Sequence, residues 1–137
     1  MANATVTLTL NQYPNGLDNG QRFIYAFGTA AISASPATYP TGGLALNFAA
    51  LQNIGDGSLP VNPTDIAAPV AVEFESRSGS GWVYRWKQST NTLQIMAASG
   101  GTAGTGAPEE EMTNATAIPA GVSGDAITFK ATFVKMR

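Results

Sequence analysis

Two acidic residues have a spacing that could support acid–base chemistry, Glu73 and Glu75, which lie at i and i+2. Glycosidases use two carboxyl groups several ångströms apart, and they usually raise the pKa of one of them by burying it. Here the glutamates alternate with Val72 and Phe74, a period-2 pattern that predicts an apolar face toward the core and both carboxylates in water. A solvated strand face is the preferred interpretation. A glycosidase that uses Glu73 with a second carboxylate is the least favoured alternative.

Three large aromatic residues, Trp82, Tyr84 and Trp86, lie at alternate positions and therefore share one face of a predicted strand. If they point inward, they fill the core. If they point outward, they form a flat platform that could stack on sugar rings or anchor a protein interface, where Trp and Tyr often dominate the binding energy. The residues between them are a mixture of apolar and basic types, so burial of the aromatic face is the simpler interpretation.

A run of small residues at positions 98–106 precedes the acidic run Glu109, Glu110 and Glu111. The small-residue run lacks the Lys-Ser/Thr pair that ends a phosphate-binding P-loop. The acidic run lacks the glycine and the spaced oxygen ligands of a calcium loop. The low hydrophobicity of this part of the chain predicts that the loop 98–118 is flexible or is ordered by a partner.

The chain contains no histidine and no cysteine. Their absence removes the commonest general base, the commonest transition-metal ligands and the thiol nucleophile, and it excludes disulfides. We therefore predict no catalytic residues, no metal site and no cofactor. Charged residues make up 12 % of the chain, against an average of roughly a quarter. Such a thinly charged surface suits contact with another protein better than electrostatic capture of a polyanion.

Nucleic acid and membranes are not predicted partners. The 7 basic residues form no stripe that could neutralise several phosphates, since only Lys130, Lys135 and Arg137 crowd together. No apolar stretch approaches the ~18 residues of a membrane span. The N terminus lacks the basic and apolar regions of a secretory signal, so we expect a protein that is made in the cytoplasm.

Alternating apolar and polar residues recur along the chain and predict an all-β fold. The period-2 runs begin near Thr5, Arg22, Leu44, Val70, Trp82, Leu93 and Ala126. The long run 22–33 has apolar residues on both sides, which predicts burial of much of both faces, with Gly28 a bulge or bend. Residues 12–20 and 49–68 contain several Gly, Pro and Asn residues and are expected to be loops.

The segment 70–97 gives the clearest prediction of strand pairing. The sequence Ser-Gly-Ser-Gly at 78–81 separates two runs as a hairpin turn would, and a second turn at 89–92 leads to a third run. We therefore expect a meander of three antiparallel strands. The chain as a whole is predicted to be a single domain, 1–137, that forms a two-sheet antiparallel β-sandwich, jelly-roll-like, of about seven or eight strands with long loops and little or no helix.

Five segments carry a pattern of strand, turn, aromatic hairpin and closing strand. They are Gly-Thr-Ala-Ala-Ile-Ser at 28–33, Thr-Tyr-Pro-Thr-Gly-Gly-Leu-Ala-Leu at 38–46, Trp-Val-Tyr-Arg-Trp at 82–86 with Asn-Thr-Leu-Gln-Ile at 91–95, and Ile-Thr-Phe-Lys-Ala-Thr-Phe at 127–133. This pattern resembles small structural proteins of tailed-bacteriophage head gene clusters, some of which are capsid decoration, or cement, proteins. The resemblance implies a sandwich or jelly-roll fold, no catalysis, and a place in the virion on the outer surface of the icosahedral head.

Two functions from different classes are therefore expected. The first is a non-enzymatic capsid decoration protein that binds the major capsid protein, forms a homodimer or homotrimer, and orders its N-terminal arm 1–4 and residues 99–106 on the shell. The alternative is a carbohydrate-binding module of a tail-fibre or adhesion protein that uses the aromatic face at 82–86. The candidate interface or platform residues are Trp82, Tyr84, Trp86, Tyr39, Ser99, Gly100, Gly101, Glu109, Glu110 and Glu111.

Overall fold

The alternating pattern produces two antiparallel β-sheets that pack around one shared core. The computed structural model describes residues 2–11, 17–19, 22–48, 69–98 and 109–134, with the backbone alone for 17–19 and Ala98. The elements of this part of the chain are β1 (Val6–Leu10), β2 (Leu17–Asn19), β3 (Phe23–Ile32), β4 (Leu44–Ala45), β5 (Ala71–Ser76), β6 (Val83–Lys87), β7 (Thr92–Ala98), β8 (Glu109–Glu111), α1 (Ala120–Ser123) and β9 (Ile127–Val134). The predicted all-β sandwich with little helix is confirmed.

The first sheet has the strand order β1-β3-β9-β5, and β2 also pairs with β3. The strand β9 shows why the sheet forms, because its odd-numbered residues are apolar and its even-numbered residues are mostly polar. The buried residues of β9 are Ile127, Phe129, Ala131 and Phe133. The residues between them point away from the core, as the sequence predicts for this strand.

The strands β1 and β2 occupy the same edge of β3, one after the other. β1 ends where Leu10 pairs with Gly28, and β2 begins where Leu17 pairs with Ala26. The prediction that residues 12–20 are only a loop is therefore wrong for 17–19, where pairing with β3 outweighs the turn preference of Asp and Asn. Residues 12–16 and 20 lie outside the described part of the chain. Gly28 keeps its register with both neighbouring strands, so β3 contains no bulge at this glycine.

The strand β3 has one buried and one partly exposed face, which corrects the prediction that much of both faces is buried. The buried residues of its inner face are Ile24, Ala26, Gly28, Ala30 and Ile32. On the outer face Phe23 is 38 % exposed, and Tyr25 and Phe27 are half-buried. The reason is the register with β9, which places Tyr25 beside Thr132 and Phe27 beside Lys130, on the polar face of that strand.

The second sheet has the strand order β4-β7-β6, and β8 also pairs with β7. β6 and β7 form the predicted hairpin, in which Lys87 pairs with Thr92 beside a turn whose Asn91 has a φ of 52°. β4 and β8 share the other edge of β7. At the far end of this edge Ala98 of β7 pairs with Glu109 of β8.

β5 and β6 belong to different sheets, so the predicted hairpin between them, and with it the three-stranded meander, is wrong. β5 pairs instead with β9, where Glu73 lies opposite Lys130, and residues 77–82 cross from the first sheet to the second. Charge does not select the partner of β5, because the basic residues of β6 and of β9 could both lie opposite its glutamates. The crossing is held by Asp125, a buried residue that follows α1.

The core lies between the two sheets and draws on both. Phe48 contacts Phe129 and Phe133 edge-on, with ring centroids 6.0 and 5.5 Å apart. The predicted run Leu44, Leu46 and Phe48 is buried, although only Leu44–Ala45 forms a strand. The largest fully buried side chains are Tyr39, Phe48, Phe133, Ile24, Leu44, Leu93, Ile95, Ile127 and Val122.

Residues 2–4, 37–39 and 115–118 form a small bridged structure outside the named strands. The amide of Ala4 donates to the carbonyl oxygen of Thr38 at 2.8 Å, and the amide of Thr38 donates to the carbonyl oxygen of Ala2 at 3.1 Å. Residues 2–4, which the sequence predicts to be a flexible or partner-ordered arm, are therefore hydrogen-bonded to the fold. Within the predicted loop 98–118, residues 109–111 form β8 and 115–118 join the bridged structure, and residues 99–108 lie outside the described part of the chain.

The helix α1 leads directly into Asp125. It begins after Pro119, whose fixed φ suits a helix start, and its Val122 is fully buried. The amide of Gly124 donates to the carbonyl oxygen of Ala120 at 2.9 Å and ends the helix. Among the described residues no helix is long and apolar enough to span a membrane.

Candidate functional site

The aromatic face formed by Trp82, Tyr84 and Trp86 points toward the core of the sandwich. Tyr84 is 4 % exposed, and both tryptophans are partly buried against the core residues. The indole Nε1 of Trp86 donates to Oδ1 of Asn91 at 2.9 Å, which fixes one ring to the turn between β6 and β7. These three residues therefore do not form an exposed platform, and the carbohydrate alternative loses the surface on which it depended.

Tyr39 is a second predicted contact residue that the structure places in the interior. It has no exposed surface, and its hydroxyl donates to Oε1 of Glu111 at 2.5 Å. The other oxygen of Glu111 accepts from Nε2 of Gln94 at 3.0 Å. Burial, followed by the hydrogen bond to Glu111, raises the pKa of Tyr39 far above its usual range. This contact ties residues 37–40 to the second sheet.

The acidic run Glu109–Glu111 forms the edge strand β8, and its three carboxylates have different surroundings. Glu109 makes an ion pair with Arg85, with Nη2 and Oε2 2.6 Å apart. Glu110 is exposed, and Glu111 is held by Tyr39 and Gln94. The run is therefore largely paired within the chain. The remaining predicted residues, Ser99, Gly100 and Gly101, lie outside the described part of the chain.

The outer surface of the second sheet, which we call the paired face, combines these polar pairs with exposed apolar residues. Val83 is 39 % exposed and lies opposite the half-buried Met96. Arg85 and Gln94 are also register partners, and each binds a glutamate of β8. The paired face is formed by Val83, Arg85, Lys87, Thr92, Gln94, Met96, Glu109 and Glu111. Two of its four charged residues, Arg85 and Glu109, form an ion pair, and Glu111 accepts hydrogen bonds from Tyr39 and Gln94.

Asp125 is the buried polar centre of the crossing between β5 and β6. Its Oδ1 accepts from the hydroxyl of Ser76, and its Oδ2 accepts from the hydroxyls of Ser80 and Tyr84, each at 2.7 Å. Burial alone would raise the pKa of the Asp125 carboxyl. The hydrogen bonds from Tyr84, Ser76 and Ser80 outweigh burial and lower this pKa to about 2. The cluster joins both sheets to the segment after α1, so its role is to hold the fold together.

A groove of about 610 Å³ crosses the outer surface of the first sheet. We call it the cross-strand groove, and it is lined by Asn11, Phe27, Gly28, Glu73, Phe74, Glu75, Arg77, Thr128, Phe129 and Lys130. Glu73 and Glu75 are both exposed here, as the sequence predicts for the polar side of β5. Arg77 approaches Glu75, with Nη2 and Oε2 3.8 Å apart.

An aromatic row adjoins the groove along β3. It consists of Phe23, Tyr25 and Phe27, and the first two ring centroids are 6.3 Å apart. The ammonium group of Lys130 lies 5.9 Å from the ring centroid of Tyr25 and 6.0 Å from that of Phe27. Such contacts are attractive because the ring faces are negative. The row therefore offers partly exposed rings beside carboxylate, guanidinium and hydroxyl groups.

The sequence does not predict the cross-strand groove or the aromatic row as a candidate site. Alternation shows that Phe23, Tyr25 and Phe27 share a face, but it does not show which face is inner. The decisive signal is the polar side of β9, because strands that pair share their outer face. Once β3 and β9 are neighbours, the register places Phe27 beside Lys130. No local sequence pattern predicts that β3 pairs with β9.

The described residues hold no group of three or more Asp and Glu side chains close enough to share a metal ion. The exposed carboxylates of the cross-strand groove can accept hydrogen bonds from a ligand, and Arg77 and Lys130 can donate them.

The chain matches no family model, no curated protein and no solved structure in the three comparisons made with known proteins.

Proposed function

We propose that this protein is a non-enzymatic capsid decoration protein of a tailed bacteriophage. In this role it binds the outer surface of the icosahedral head as a homo-oligomer and bridges neighbouring major capsid proteins. Each bound copy adds binding free energy that only the assembled shell receives, so the shell is stabilised by mass action. The sequence resemblance suggests this class, and the all-β sandwich is compatible with it.

The observation that best supports docking is the pairing of Ala98 with Glu109 at the end of the second sheet. The ten residues between this pair in the sequence, 99–108, are rich in Gly, Ala and Thr. Because Ala98 and Glu109 are themselves paired, a two-residue turn is long enough to connect them. A segment composed of small residues is suited to ordering on a partner, at a cost in conformational entropy.

The paired face supports the same proposal. It surrounds the exposed Val83 and its neighbour Met96 with groups that are already hydrogen-bonded or ion-paired within the chain, such as Arg85 and Glu109. Burying such a surface leaves few charges without partners. Ala98 and Glu109, which flank residues 99–108 in the sequence, belong to the two strands β7 and β8 of this same sheet.

Replacing residues 99–108 by Asn-Gly tests the proposed docking segment. A two-residue turn can join paired antiparallel strands, so Ala98 and Glu109 keep their register and the fold is expected to survive. We expect the wild-type protein to cosediment saturably with shells of the major capsid protein encoded beside it. The short-turn variant should bind at least tenfold more weakly, a loss of about 1.4 kcal/mol or more.

The control is a variant in which the same ten positions carry only alternating Gly and Ser. It keeps the length of the segment and removes its apolar and threonine side chains. Equal binding by wild type and the short-turn variant would show that the segment has no role in docking. Failure of the wild-type protein to cosediment with any such shell would remove the proposed function itself.

A further inference from the structure

We propose that the cross-strand groove on the first sheet is a binding site for a neutral oligosaccharide. This inference does not rest on the capsid proposal. The groove lies on the outer surface opposite to the paired face, so a chain docked through its second sheet would still expose it.

The groove is built by three neighbouring rows of register partners across β5, β9 and β3. The middle row contains Phe74 and Phe129, and in β3 it continues with Gly28. These residues belong to the inward-facing set of their strands, so the middle row projects no side chain outward. The two flanking rows form the walls, and Asn11 lines the groove beyond Gly28.

The walls carry groups that recognise a polyhydroxylated ligand. One wall contains Glu73 and its register partner Lys130, and the other contains Glu75 and its register partner Thr128. A carboxylate accepts hydrogen bonds at two oxygens, and an ammonium or guanidinium group only donates. Adjacent hydroxyls of a sugar both donate and accept, so they can satisfy both kinds of group. Arg77 adds a planar donor at one end of the groove.

The aromatic row supplies the apolar part of the site. Phe27 lines the groove and is half-buried, and the ammonium group of Lys130 lies 6.0 Å from its ring centroid. The C–H side of a sugar ring is apolar and carries slight positive charge, which suits the negative face of an aromatic ring. A volume of about 610 Å³ lies within the roughly 300–1,000 Å³ of small-molecule sites.

The charge balance of the groove selects a neutral ligand. Glu73 and Glu75 carry two negative charges, and Arg77 and Lys130 carry two positive charges. A phosphate or a polyanion would gain no net attraction and would meet both carboxylates. A cationic ligand would meet the ammonium group of Lys130, which lies over the ring of Phe27. A neutral oligosaccharide uses all four groups without adding a charge.

A glycan array that contains neutral and acidic oligosaccharides, probed with the full chain, tests the assignment. The best neutral oligosaccharide is then titrated by calorimetry into wild type and into the variants Glu75→Gln and Lys130→Ala. We expect each variant to weaken binding at least tenfold. The matched controls are Glu110→Gln and Lys87→Ala, which change the same residue types on the second sheet and should leave the affinity unchanged.

Thermal unfolding of each variant shows whether the fold is intact. Glu75→Gln is nearly isosteric with the wild type, so it still tests the groove if Lys130→Ala is destabilised. Absence of binding to every neutral oligosaccharide at millimolar concentration would overturn the proposal. So would a preference for acidic glycans. Binding that is lost equally in the control variants, or is retained in both groove variants, would place the sugar elsewhere.

Discussion

Replacing Asp125 by alanine is expected to lower the free energy of unfolding by about 4 kcal/mol. The substitution removes the acceptor of three hydroxyl donors, those of Ser76, Ser80 and Tyr84. A hydrogen bond to a charged group contributes roughly 1.5–3 kcal/mol, and a buried donor left without a partner costs about as much again. The Tyr84 hydroxyl lies in a buried environment, so water replaces the lost carboxylate poorly there. Urea unfolding followed by tryptophan fluorescence measures this change.

Two further variants separate the contribution of Asp125 from a general effect of losing a carboxylate. Tyr84→Phe removes one of the three donors and should cost about 1–2 kcal/mol. Glu110→Gln changes an exposed carboxylate and should alter stability by less than about 0.5 kcal/mol. An Asp125→Ala variant as stable as the Glu110→Gln variant would contradict the role assigned to the cluster.

The same cluster predicts a loss of stability in acid. The folded pKa of Asp125 is about 2, below its ordinary value of 3.8. A carboxyl group whose pKa is lower in the folded state stabilises the fold above the unfolded pKa, and this stabilisation is lost as pH falls through the folded pKa. The loss is expected between about pH 4 and pH 2 and amounts to about 2 kcal/mol. In Asp125→Asn this component should be absent.

Replacing Gly28 by alanine is expected to cost about 3 kcal/mol or more. A Cβ atom at this position would overlap the carbonyl oxygen of Thr9 and would lie 2.9 Å from Cε1 of Phe129. The first neighbour is backbone of the paired strand β1, so relief requires a shift of that strand and loss of ladder hydrogen bonds. The melting temperature and the urea midpoint measure the effect.

The matched control for Gly28→Ala is Gly121→Ala in the helix α1. A Cβ atom there would lie 3.4 Å from Nε1 of Trp82, which is ordinary contact, and alanine is favoured over glycine in a helix. This variant should change stability by less than about 1 kcal/mol, toward higher stability. If both glycine variants were equally stable, the close approach of β1 to Gly28 would not be correct.

Alternation within single strands was the reliable signal in the sequence. β9 shows it best, because its apolar residues from Ile127 to Phe133 occupy every second position and all of them are buried. Such a pattern depends only on the pleat of one strand. Alternation also predicts the burial of Tyr84 and its neighbours Trp82 and Trp86, and the exposure of Glu73.

Pairing between strands distant in sequence could not be predicted, and the main errors follow from it. The Ser-Gly-Ser-Gly segment at 78–81 looks like a hairpin turn, yet it crosses between sheets. The residue that holds the crossing, Asp125, lies 45 positions from Ser80, and no local pattern links the two. The outward orientation of the aromatic row has the same origin, since it requires the knowledge that β3 lies beside β9.

The two outer surfaces of the sandwich have different compositions, and this difference connects the two proposals. The paired face presents Val83 beside the ion pair of Arg85 and Glu109. The cross-strand groove presents two carboxylates and two cations, of which Glu75 and Arg77 approach each other, beside the ring of Phe27. Under the two proposals, the protein attaches to a shell by one sheet and binds a sugar by the other.

The most direct test of the central proposal is the heat stability of the capsid. Shells of the major capsid protein encoded with this chain are heated with and without the purified protein, and disruption is followed by light scattering. The proposal predicts saturable binding at a fixed number of copies per capsid subunit and a higher disruption temperature for the decorated shells. Shells that bind no protein, or that withstand heat and chelation equally well without it, would contradict the proposal.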